Sequence, residues 1–104
     1  MKLVKDIYLI TKEFPKAEQF GLTSQIQRAA VSIPANIAEG SAKSSNKDFG
    51  RFLEISIGSI CELETLIIIA KDLEYININN YDSLDLKIKE IQRMLIGFKS
   101  QLSI

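Results

Sequence analysis

Apolar residues return along this chain at intervals of three and four, the period of a helix face, and polar connectors cut the pattern into four stretches. The first stripe, Leu3, Ile7, Ile10 and Phe14, predicts a helix over residues 2–14 that Pro15 ends. Lys16 to Gly21 is a connector. Leu22-Thr23-Ser24 opens the second helix, with Ser24 and Gln27 at capping-box spacing and Gly40 as the expected left-handed cap. Ser41 to Asn46 reads as a polar loop, and Ser45 with Asp48 repeats the capping-box spacing. The third helix is expected from about Asn46 to Asp72 or Tyr75, with a loop from Tyr75 to Tyr81. Asp82 or Ser83 is the expected cap of the fourth helix, where Leu84, Ile88, Ile91, Leu95, Phe98 and Leu102 form a heptad-like seam. No segment alternates as a strand would. The fold class is all-α, an antiparallel up-down-up-down four-helix bundle forming a single domain over 1–104.

The second helix departs from a plain amphipathic pattern. At about 100° per residue it divides into three strips. Leu22, Ile26, Ala29, Ala30, Ile33 and Ile37 face a core, and Val31, Pro34 and Ala38 form a second strip of small apolar groups. Gln25, Arg28, Ser32, Asn36 and Glu39 form the only polar strip, and it holds no lysine. Short directional groups of this kind suit an internal hydrogen-bond network, here extended to Glu62 and Glu64 of the third helix. The strip is expected to be mostly covered, by its own domain and by another subunit. The alternative is a solvated strip that lacks lysine. Pro34 removes an amide and crowds the carbonyl of Ala30, so a kink or break is expected there.

The third helix carries two apolar rows. Phe49, Phe52, Ser56, Ile60, Leu63, Ile67 and Ala70 make one seam, and Leu53, Ile57, Cys61 and Ile68 make another about 100° around. A single bundle has one core, so the second row is the expected oligomer interface; the alternative is a broad stripe on a central helix.

Charge changes the picture little. Thirteen basic residues balance thirteen acidic ones, with an excess of three positive charges in residues 1–51 and three negative in 52–104. The absence of histidine removes Ser-His-Asp and Cys-His catalysis and His-containing zinc and di-iron sites. One cysteine, Cys61, excludes an internal disulfide and, on an apolar row, reads as a buried packing residue. Glu39, Glu62 and Glu64 could be read as a carboxylate metal or acid–base site, but nothing supplies their usual partners. No cofactor, metal, small-molecule substrate or catalytic residue is expected. No signal segment or apolar run of about 18 residues is present, so the expected place is the cytoplasm, without a membrane partner.

Phe14-Pro15, the run from Phe20 to Ser41, Phe52-Leu53, Gly58-Ser59 and Glu62-Leu63-Glu64-Thr65 together resemble the bacterial 23S rRNA intervening-sequence proteins, a "four helix bundle protein" family. The resemblance covers nearly the whole chain. It implies a four-helix bundle that assembles into a homopentamer and has no attributed enzymatic activity. A similar protein, the accessory variability determinant of diversity-generating retroelements, is a pentamer that binds nucleic acid and a reverse transcriptase. This chain differs in lacking about two turns of the usual first helix and in its near-neutral charge.

The expected function is a non-catalytic pentameric scaffold or adaptor engaging RNA or a nucleic-acid-bound protein; the alternative is a protein-only assembly module. Candidate nucleic-acid contacts are Lys2, Lys5, Lys12, Lys16, Lys43, Lys47 and Arg51, on the expectation that first-helix lysines join the loop before the third helix. A contiguous basic patch favours the first reading and scattered charges the second.

Overall fold

The computed structural model describes residues 1–102 and contains α1 (Lys2–Thr11), a short 3-10 turn (Lys16–Glu18), α2 (Leu22–Ser41), α3 (Asn46–Asp72) and α4 (Ile78–Gln101). Among the described residues there is no strand. The helices run up-down-up-down in a bundle of 43 × 24 × 18 Å. Ile7, Ile26, Ile33, Ile60, Leu63, Ile67, Leu84 and Ile88 fill its centre, drawn from all four helices.

Each boundary has a local cause. α1 stops at Thr11, three residues before the expected end, and the Thr11 hydroxyl bonds back to the carbonyl of Ile7 at 2.8 Å. Phe14 still enters the core and meets the ring of Tyr75 at 5.5 Å. Helix α2 begins at Leu22, not at a Ser24–Gln27 capping box. The Glu18 carboxylate takes the Leu22 amide at 3.3 Å, and Gln27 instead donates to Thr11 Oγ1 at 3.0 Å. α3 starts as expected, with Ser45 Oγ accepting from the Asp48 amide at 3.1 Å. α4 begins at Ile78, because Asn77 accepts from the Asn80 amide at 2.8 Å and caps the helix ahead of Asp82 and Ser83.

α2 shows neither a break at Pro34 nor a left-handed cap at Gly40. The helix runs unbroken through Pro34 to Ser41. A buried cross-helix bond holds the backbone one residue earlier, where Ser56 Oγ donates to the Ile33 carbonyl at 2.9 Å. Gly40 is not a left-handed cap, since no described glycine has positive φ. It is a contact point: a Cβ there would lie 2.6 Å from Phe52 Cβ and 2.9 Å from Phe49 Cδ1. Glycine at this position lets the ends of α2 and α3 approach closely.

Helix α3 ends in a Schellman arrangement, with the Tyr75 amide on the Ala70 carbonyl and the Glu74 amide on the Lys71 carbonyl, both at 2.9 Å. The left-handed position is taken by Glu74, at φ 64°, where glycine would be unstrained.

Candidate functional site

The polar strip of α2 lies beside α3 and is only partly internal. Ser32 and Asn36 are half-buried. Asn36 Nδ2 donates to Ser32 Oγ at 2.9 Å and to the Ser32 carbonyl at 2.8 Å, and the Ser32 hydroxyl meets Ser59 Oγ at 2.8 Å. Ser59, with Ser56 one turn away, supplies the α3 side of this contact. Sequence reasoning missed both roles, although two serines on the buried side of an apolar helix call for partners. Within one chain Gln25, Arg28 and Glu39 are exposed, contrary to the expectation of burial by the domain itself. Gln25, Arg28, Ser32 and Glu62 line an open groove of about 350 Å³ between α2 and α3. Glu64 points the other way, accepting from Lys89 at 3.3 Å and Gln92 at 3.2 Å on α4. Lys89, held mainly by its hydrogen bond to Asp85, has its pKa raised above the ordinary lysine value. The carboxylates of the strip thus do not converge. Among the described residues no group of three or more His, Cys, Asp or Glu side chains could hold a metal.

The expected interface row divides. Leu53 is fully enclosed in its own core, because it lies seven residues from Ile60 and fourteen from Ile67 on the inner side of α3. It leaves the interface set. Ile57 is half-buried against the same core, whereas Cys61 is exposed and Ile68 is 39% exposed. Two apolar side chains the sequence did not single out, Ile55 and Ile69, are also exposed on α3. On α2 the outward positions are Val31, at 42% exposure, with Ala35 and Ala38.

The candidate cations do not form one patch. Tyr75, at the turn between α3 and α4, donates to Glu18 at 3.0 Å, so Lys12 and Lys16 lie at that end of the bundle. Lys43, Lys47 and Arg51 lie at the opposite end, where Asn46 Nδ2 donates to the Leu102 carbonyl at 3.4 Å. Lys2 and Lys5 are exposed along α1 between the two. The first-helix lysines therefore do not join the loop before α3. Lys99 of α4 does, and Lys47, Arg51, Glu54 and Lys99 line an open notch of about 620 Å³. Lys99 pairs with Glu54 at 2.9 Å and Arg51 with Asp48 at 3.7 Å. Lys43 sits over the Phe52 ring at 5.2 Å. The hydrogen bond and charge of Lys99, with a smaller effect of Arg51, hold the Glu54 carboxyl below its ordinary value. Lys99 was missed because it belongs to the more acidic half of the chain and reaches the notch only through the return of α4.

No helix among the described residues is long and apolar enough to cross a membrane. The model of the 23S rRNA-intervening sequence protein family matches residues 1–97 of the chain. A crystal structure of a protein of unknown function from Bacteroides thetaiotaomicron, described as of the S23 ribosomal protein family, is similar with a TM-score of 0.83. It is 29% identical, over 93% of this chain and 90% of that one. No curated protein matches.

Proposed function

The chain belongs to the 23S rRNA-intervening sequence protein family, and from that premise we propose that it is a non-catalytic, self-assembling scaffold that engages RNA, a ring of five copies in the cytoplasm. The observation that carries the reading is the outward side of α2. Val31, Ala35 and Ala38 stand exposed on a twenty-residue helix without a lysine, flanked by Arg28 and Glu39, which make no ion pair among the described residues. A helix face of this composition is the kind that a second copy covers, and Ile55, Ile68 and Ile69 leave further apolar surface exposed on α3. Two different faces meeting head to tail close into a ring when the rotation permits. Covered in this way, the free ends of Arg28, Glu39 and Glu62 become partners for neighbouring subunits.

The test is sedimentation of the parent beside Ile68→Asp and Val31→Asp. Either carboxylate, left unpaired in a dry contact, is expected to shift the protein to monomer while its helix content holds. Ile57→Asp is the poorer probe, because Ile57 also packs on its own core. An oligomer untouched by both variants contradicts the assignment of these faces. The separation of the cations to two ends favours the second reading, a protein-only assembly module, which absence of RNA binding by the intact oligomer would support.

A further inference from the structure

Three cations away from this end are held by carboxylates. Lys87 pairs with Asp6, Lys89 lies between Asp85 and Glu64, and Lys71 is beside Asp72. The end of the bundle formed by the start of α3 and the last turn of α4 is different. Lys43, Lys47, Arg51 and Lys99 gather there, and among the described residues the carboxylates paired with them are Glu54 and Asp48. Lys47 has no ion pair among the described residues, and the two pairs that do exist involve largely open side chains. Arg51 and Asp48 are 66% and 48% exposed, and Glu54 is 60% exposed against Lys99. Exposed pairs of this sort are weak and exchange readily for a better anion.

We propose that the notch between Lys47, Arg51 and Lys99 is the docking site for the phosphodiester backbone of RNA, and that Glu54 is the internal anion the phosphate displaces from Lys99. The proposal rests on the RNA reading above and narrows it to one end of the subunit. Three donors around an open concavity suit phosphate oxygens, and the planar guanidinium of Arg51 can grip two of them at once. Glu54 shields Lys99 in the free protein, so Glu54 limits affinity while contributing little to folding. Several copies in one assembly multiply a weak contact per subunit by avidity. Contacts to phosphate oxygens carry no sequence information, so binding depends little on sequence.

The experiment uses the intact protein and a fluorescein-labelled single-stranded RNA of mixed sequence, titrated by anisotropy at several salt concentrations. Lys47→Ala and Lys99→Ala are each expected to weaken binding about tenfold and to make the slope of log K against log salt shallower by about 0.7, the value for one lost phosphate contact on a single strand. Glu54→Gln is expected to strengthen binding severalfold, which a merely structural salt bridge would not do. Lys12→Ala and Lys16→Ala, at the far end, are expected to stay within twofold of the parent. Circular dichroism and sedimentation of every variant exclude loss of fold or assembly as the cause. A larger loss from Lys12→Ala or Lys16→Ala, or weaker binding by Glu54→Gln, overturns the site and leaves RNA binding standing. No binding by the parent at low salt overturns both.

Discussion

Replacing Gly40 by alanine tests the helix contact on which the α2–α3 packing depends. The new Cβ would lie 2.6 Å from Phe52 Cβ and 2.9 Å from Phe49 Cδ1, where ordinary contact begins near 3.4 Å. Phe49 can rotate its ring, but a Cβ is fixed to its backbone, so the two helices must separate. Overpacking of this kind costs about 1–3 kcal/mol, while the better helix propensity of alanine returns about 1 kcal/mol. The expected net loss is about 1 kcal/mol. For a domain of about this size that is roughly 4 °C in melting temperature. Urea unfolding followed by circular dichroism measures it, with the slope m unchanged if only the folded state is affected. Gly40→Asn separates this account from a left-handed cap: asparagine is tolerated in a cap but is worse than alanine in a tight contact. Gly58→Ala is the control, because nothing lies within 4 Å of its added Cβ, and it is expected to gain up to about 1 kcal/mol. A Gly40→Ala protein as much stabilised as Gly58→Ala would refute the reasoning.

Three other changes have signs fixed by the structure. Glu74→Gly relieves a left-handed residue at φ 64° and is expected to raise stability by about 0.5–1 kcal/mol in thermal melts, whereas Glu74→Ala is not. Thr23 buries a hydroxyl with no hydrogen-bond partner among the described residues, so Thr23→Val is expected to stabilise by about 1 kcal/mol, and a loss of that size would reveal a hidden partner. Tyr75 donates to Glu18, and that hydrogen bond raises its pKa above the ordinary 10.0. A raised folded pKa means that this stabilisation is complete below the unfolded pKa and is lost as pH rises through the folded one. The advantage of the parent over Tyr75→Phe in chemical unfolding is therefore expected to be flat near neutral pH and to close above pH 10; an advantage that grows there contradicts the bond.

The spacing of apolar residues carries the fold because four long stripes admit few arrangements. Every helix, the Ser45 cap and the bundle order follow from it. What it misplaces are the ends, where competing caps are close in strength. Asn77 and Asp82 are both good caps, and only the bond to the Asn80 amide decides between them. Gly40 is a glycine for a reason that lies on another helix, which local pattern cannot express. Leu53 shows the same limit from the other side. A wheel drawn on one helix gives its angle but not where the neighbouring helices stand, so an inward residue was placed in an outward row. Of the surface, the lysine-free face of α2 and the cations before and within α3 were legible. The joining of Lys99 to them, and the stranding of Lys12 and Lys16 at the other end, depend on the course of α4 and the shortness of α1.

The mass of the purified protein in solution bears most directly on the claim that these chains assemble through the outer faces of α2 and α3. Light scattering at micromolar concentration, with and without added RNA, is expected to give five times the 11.7 kDa of one chain, and a heavier particle when RNA is present. A mass of one chain in both conditions would contradict the account.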